Sequence, residues 1–170
     1  MNEQDVLIVK SQEEIDRVPS DFKGTIQVAP DNSGASLNLD GRFNGVDIKV
    51  TNGHVTVNRK GSDNLGRVKV YGVCDDSSYP HVTAFGSVKV SAYDNAFVDV
   101  DDDCHVDAFD HAEVRAKGKA FVFLKDHSRG VLHDKARATA TKNSDVEAYE
   151  GVVVTAMDEA KVSANDNAEV

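Results

Sequence analysis

The chain has no tryptophan, only two cysteines, and aromatic residues at just 6% of its 170 positions. With Val and Ala supplying much of the 40% that is apolar, this scarcity of rings excludes a thick globular core. It suits a thin, closely packed interior. Cys74 and Cys104 are too few for a disulfide framework. No apolar run is long enough to cross a membrane, and there is neither a leader-like segment nor an Asn-x-Ser/Thr acceptor. A reducing cytoplasm is therefore the expected location. Positive charge is also short: 19 Lys and Arg stand against 29 Asp and Glu, a formal net charge of −10. Seventeen of those acids lie in residues 81–170, against ten bases. Direct nucleic-acid binding needs clustered cations to neutralise phosphates, so it is not expected; a basic protein partner is. Nucleophile elbow, phosphate-binding loop, dinucleotide fingerprint, His-Glu-x-x-His and Cys-x-x-Cys are all missing. Neither a cofactor nor an enzymatic activity is expected.

What the chain does have is a period. From His81 to Val170 an eight-residue unit repeats without insertion or deletion, as in Lys89-Val-Ser-Ala-Tyr-Asp-Asn-Ala96 and His105-Val-Asp-Ala-Phe-Asp-His-Ala112. The consensus is x-Val-x-Ala-x-Asp-x-Ala, too short a unit for a helical pair. The second position is Val in ten of twelve octads and the fourth is Ala in eight of eleven, so one face of each octad is apolar. That alternation describes a strand. Asp at the sixth position suits a corner, where its carboxylate accepts from nearby backbone N–H groups. Each octad reads as one strand plus one corner. Gly130 and Ala138 interrupt the Val series and make the centre of the array locally weak. Cys104 takes the place of a small buried residue at an eighth position.

Two octads per coil, sixteen residues, make a flattened solenoid with two sheets; three make a triangular one. Val and Ala cannot fill a triangle of that size at native density. Glu113, Arg129, Asp145 and Lys161, spaced by sixteen, also alternate in sign. On adjacent coils about 4.8 Å apart, alternation turns repulsion into pairing. A Phe85, Phe109, His133, Met157 series, with Phe97 and Phe121, supports three octads. Two is the preferred reading.

Residues 1–80 read as a cap and irregular first coils, ahead of the octad solenoid of residues 81–170. Val6-Leu-Ile-Val9 is a short strand, and Ser11-Gln-Glu-Glu14 is a capping box opening a turn or two of helix that Pro19 closes. Alternating segments follow at Thr25–Val28, Ser36–Leu39, Val46–Val50, His54–Val57 and Arg67–Tyr71, separated by turns such as Asp40-Gly41 and Asn52-Gly53. The helix plugs one end, as repeat arrays require. The fold class is all-β, a β-solenoid with a short N-terminal helical cap.

The segment Glu13-Glu-Ile-Asp-Arg-Val-Pro19 running into Asp21-Phe-Lys-Gly-Thr-Ile26, followed by the array, resembles octad-repeat β-solenoid proteins. These are encoded in bacteria, often in phages or other mobile elements, and mostly lack an assigned function. The resemblance spans nearly the whole chain. It implies no catalytic residues and, through the phage association, interference with a host nucleic-acid-handling or defence complex.

On a sixteen-residue coil Asp94, Asp110 and Asp126 stack in one row, and Asn95, His111, His127, Asn143 and Glu159 in the next. His111 and His127 then stand one coil apart. No metal is expected there, because calcium-binding solenoids wrap their ion with Gly-rich loops and this motif has Ala in their place. The densest acidic run is Asp101, Asp102 and Asp103, with Asp99 just before it. Together with the outward fifth-position aromatics Phe85, Tyr93 and Phe109, it is the candidate protein-contact patch. At the last coil an apolar row of Val154, Ala156, Val162 and Ala164, with Val170, is left at an unpaired edge. A homodimer through these C-terminal coils is the expected closure. The alternative to an interaction module is a self-assembling scaffold of a virion or surface.

Overall fold

Short runs in which every second residue is apolar can bury one face only by facing another such sheet, and this chain does so throughout. The computed structural model describes residues 6–32, 34–39, 46–58, 68–72 and 80–170. The irregular part contains β1 (Val6–Val9), helix α1 (Gln12–Asp16), β2 (Thr25–Val28), β3 (Ser36–Leu39), β4 (Asp47–Val50), β5 (His54–Asn58) and β6 (Val68–Tyr71). In the array each octad opens a strand: β7 (His81–Phe85), β8 (Lys89–Tyr93), β9 (Phe97–Val100), β10 (His105–Ala108), β11 (Glu113–Ala116) and β12 (Phe121–Leu124). It continues through β13 (Arg129–Leu132), β14 (Arg137–Ala140), β15 (Asp145–Ala148), β16 (Val153–Ala156) and β17 (Lys161–Ala164). Cys74, Asp40-Gly41 and Arg67 lie outside the described residues.

The strands alternate between a nine-stranded sheet that starts at β1 and an eight-stranded sheet that starts at β3, all neighbours parallel. Within the array the register shift is sixteen residues, as in Glu113 opposite Arg129 and Arg129 opposite Asp145. The coil therefore holds two octads. The aromatic series that favours three is divided by this geometry, since Phe97 lies in the eight-stranded sheet and Phe121 in the nine-stranded one. In the first coils the shift is longer and uneven, for example Thr25 opposite Asp47 and His54 opposite His81.

The interior is a thin seam of Val and Ala, with Val106, Ala108, Val114 and Ala116 all fully buried. Its centre is repacked rather than weak. Where Val is missing at Gly130 and Ala138, the fourth positions carry Leu124 and Leu132, and both are fully buried. A Cβ at Gly130 would lie 2.6 Å from Leu124 Cδ1 and 3.1 Å from Leu132 Cδ1. The leucines occupy the volume that the valine side chain missing at Gly130 leaves. Cys104 is buried as expected, and burial pushes its thiol pKa up.

Every corner of the array uses the left-handed conformation at the sixth position. Seven aspartates there, with Lys142 and Glu150, have φ between 55° and 62°, and Gly86 and Gly118 have 83° and 67°. Asp, Asn and Gly tolerate this region best, which explains the consensus Asp. The carboxylates also accept hydrogen bonds, but across coils rather than within their own turn. Asp102 Oδ2 accepts from the Gly86 N–H at 3.1 Å and Asp134 Oδ2 from the Gly118 N–H at 3.1 Å, each sixteen residues back. Glu150 gains nothing of this kind and keeps the strain. Glu150→Asn should therefore raise stability by about 0.5–1 kcal/mol, read as a higher urea midpoint at unchanged m-value.

At the N-terminal end Ser11 caps α1, its Oγ accepting from the Glu14 N–H at 3.3 Å. Ile15 and Val18 are driven into the end of the core. The Gln12 side chain lies along β3: its Oε1 accepts from the Asn38 N–H at 2.7 Å and its Nε2 donates to the Asn38 carbonyl at 3.2 Å. The plug is thus one-sided. It closes the β3 edge, whereas no described strand lies beyond β1, whose Val6 and Ile8 are more than half exposed.

Candidate functional site

On the outer face of the eight-stranded sheet, third- and fifth-position side chains from four successive coils form a grid. β7 contributes Thr83 and Phe85, and the next coil Asp99 and Asp101. Arg115 and Lys117 follow, then Val131 and His133. Together they line a groove of about 490 Å³. Asp99 and Arg115 are register partners, yet they do not close an ion pair. Asp99 Oδ2 instead meets His81 Nε2 at 2.9 Å. The Arg115 guanidinium stands 4.8 Å from the centre of the Phe97 ring and 3.7 Å from Glu113 Oε1. Asp101 Oδ1 accepts from the Asp102 N–H at 2.7 Å. Asp99 and Arg115 thus each take another partner. The two charged rungs form the floor of the groove, with Thr83 and Phe85 on one side and Val131 and His133 on the other.

The expected contact patch is divided by this arrangement. Phe85, Asp99 and Asp101 share the groove, and Asp102 and Asp103 are exposed on the adjoining corner. Tyr93 and Phe109 lie on the opposite, nine-stranded sheet, half-buried in a ladder with Tyr71. Ring centres there are 4.9 Å and 5.1 Å apart, and Lys49 and Lys125 cap the ladder by cation–π contact at 5.1 Å and 4.9 Å. Octads in odd and even places face opposite ways, so separating them by parity in the sequence would have shown the division. It would also have shown that the nine-stranded sheet's outer face is basic, with Lys49, Lys69, Lys89, Lys125 and Arg137 against Asp47 and Asp107. The acid is concentrated at the corners, where the sixth-position conformation calls for it.

His111 and His127 stack with ring centres 5.4 Å apart. Beside them the Lys142 ammonium pairs with Asp126 and holds its carboxyl below the usual carboxylate range. Among the described residues no group of three or more His, Cys, Asp or Glu is placed to hold a metal ion. A second imidazole stack is tighter: His54 and His81 lie 4.2 Å apart, and His54 Nε2 meets Thr83 Oγ1 at 2.9 Å. Burial, and then the His81 charge, hold the His54 pKa below its ordinary value. The unfolded chain consequently binds that proton first as pH falls, and stability is lost on acidification below about pH 6.5. The melting temperature should drop between pH 7 and pH 5, and His54→Gln should make the drop shallower. An equal slope in both proteins would remove His54 as its cause.

At the last coil Ala156 and Ala164 are exposed, Val162 is half-buried and Val170 is 71% exposed. Val154, expected in the same bare row, is buried. The strand edge there is paired too, the Glu169 carbonyl accepting from the Val154 N–H at 2.8 Å. Among the described residues no helix is long and apolar enough to cross a membrane. Comparison with known proteins gave no match: no family model fits the chain, and no curated protein and no solved structure is significantly similar to it.

Proposed function

We propose that this chain is a non-enzymatic interaction module that docks a basic macromolecular partner on the edge formed by Asp99 and Asp101–Asp103. One observation carries the reading. Of the three corner aspartates only Asp102 occupies the left-handed position. Asp101 caps the Asp102 N–H with a bond that a neutral Asn would make as well, so the charges of Asp101 and Asp103 answer no conformational need. Among the described residues neither has a Lys or Arg partner within ion-pair distance. Phe85 stands beside them and supplies the apolar contact that an interface core needs. Parallel strands hold the edge in place, so little entropy is lost on docking. The resemblance to mobile-element solenoids makes a host nucleic-acid-handling or defence complex the partner to test first. The test is capture of a purified basic component of such a complex at low and high salt. Capture should weaken steeply with salt and vanish in Asp101→Lys/Asp103→Lys, with an unchanged circular dichroism spectrum. Capture indifferent to both salt and charge reversal would sink the proposal.

A second reading, a self-associating solenoid, is favoured by the exposed Ala156, Ala164 and Val170. End-to-end homodimers would give twice the monomer mass in light scattering, and Val162→Asp would return them to monomer.

A further inference from the structure

The geometry points to a small-molecule site in the groove between Phe85 and His133, one that takes a free α-amino acid with a large apolar side chain. This goes beyond partner docking at the corner and does not depend on it. Adjacent rungs of a parallel sheet are about 4.8 Å apart, close enough for registered opposite charges to close on each other. Here they are prevented from doing so. His81 draws Asp99 aside at 2.9 Å, and the Phe97 ring, 4.8 Å away, holds the Arg115 guanidinium. Asp101 is committed to the Asp102 N–H, and Lys117 has no ion-pair partner among the described residues. A row of two carboxylates therefore lies beside a row of two cations on the floor of a groove of about 490 Å³, a size within the range of small-molecule sites.

The charge order selects the ligand. A simple cation is attracted by Asp99 and Asp101 but repelled by Arg115 and Lys117, and a simple anion meets the reverse. A neutral apolar molecule would strip water from four charges and return nothing. Only a ligand carrying both signs side by side satisfies both rows at once. A free amino acid does so from a single carbon, whereas each end of a peptide brings only one charge. With its ammonium on the aspartate row and its carboxylate on the Arg–Lys row, its side chain is left to rest on Phe85 or Val131. Because the lateral contacts already hold three of the four charged groups, the site is preorganised before the ligand arrives.

The test is calorimetric titration of the whole chain with L-phenylalanine, N-acetyl-phenylalanine, phenylalanine amide and glycine. Phenylalanine should saturate with a Kd of about a millimolar or tighter. Each capped form should bind at least about tenfold more weakly, because one charged row is then left unmatched. Glycine, lacking the side chain, should be weaker as well. Lys117→Gln should reduce the difference between phenylalanine and its amide, and Asp101→Asn that between phenylalanine and its acetyl form. Both side chains point outward, and if one variant fails to fold, the other decides alone. The site is overturned if phenylalanine gives no saturable heat up to about 20 mM, if the capped forms bind equally well, or if the variants leave the discrimination unchanged. Asp103→Lys, which lies off the groove, should weaken partner capture and leave phenylalanine binding intact, so the two proposals can fail separately.

Discussion

Replacing Gly72 by Ala is expected to destabilise the protein by about 3 kcal/mol. Gly72 follows β6 directly, and the corner after β8 lies against it. A Cβ built there would be 2.4 Å from Asn95 N and 2.6 Å from both Ala96 N and Asn95 C. All three are backbone atoms, so no side chain can swing away to make room. Nor can the corner retreat freely, because the Tyr93 carbonyl accepts from both the Gly72 N–H at 3.0 Å and the Ala96 N–H at 3.2 Å. Moving it would break the turn and its link to the preceding coil together. The demand at this position is for space, which marks a glycine where two backbones touch. Gly34→Ala is the control, since among the described residues its only near neighbour is Asn32 Oδ1 at 3.4 Å, and it should be close to neutral. Urea unfolding of both variants checks this. A loss below about 1 kcal/mol for Gly72→Ala would mean that the two coils are not in contact there.

The second large effect is a coupling. Gly130→Val places its side chain against Leu124, which reaches over from the opposite sheet, and should cost about 1–3 kcal/mol through overpacking. Leu124→Ala leaves a cavity and should cost about 2–5 kcal/mol. The double variant restores the Val and Ala found elsewhere in the array, each filling what the other vacates. Its loss should fall short of the sum by at least about 2 kcal/mol, a coupling that double-mutant cycles resolve readily. Additive losses would mean that Leu124 does not occupy the volume missing at Gly130. The same cycle with Leu132 should show weaker coupling, because its nearer methyl stands 3.1 Å from the Cβ site instead of 2.6 Å.

The strands were legible in the sequence because alternation over four or five residues has one physical meaning, a pleated surface with one wet face. Thr25–Val28, Ser36–Leu39 and the octad starts accordingly match β2, β3 and the strands of the array. The coil length was legible through volume and charge, since Ala and Val fill only a thin seam and Glu113, Arg129, Asp145 and Lys161 alternate in sign on adjacent coils. The repacked centre was not, because Gly130 and Leu124 are six residues apart and meet only across the interior. The acceptors of the sixth-position carboxylates were missed for a similar reason. A turn motif read along the chain suggests a local bond, whereas the N–H that needs a partner belongs to the coil before. The groove was legible in composition but not in shape. Phe85, Asp99 and Asp101 are prominent residues in the sequence, but whether their charges are left open on the groove floor depends on which way Asp99 and Arg115 lean. Their leaning is decided by His81 and Phe97, neighbours set by the fold rather than by the repeat.

The bonds that join three of the corner aspartates to the amide sixteen residues earlier give the molecule a direction in time. Asp102 completes the corner at Gly86, Asp134 that at Gly118, and Asp158, at 3.4 Å, that at Lys142. The corners at Gly118 and Lys142 close on their own backbone, and each of the three gains a further bond from the coil made after it. A chain leaving the ribosome thus lays down its structure as a mason lays courses, every new layer locking the one beneath. Dissolution proceeds in the opposite order, because the outermost layer leaves by breaking bonds on one side only. Hydrogen exchange followed residue by residue would show this as protection that steps down toward the last coil.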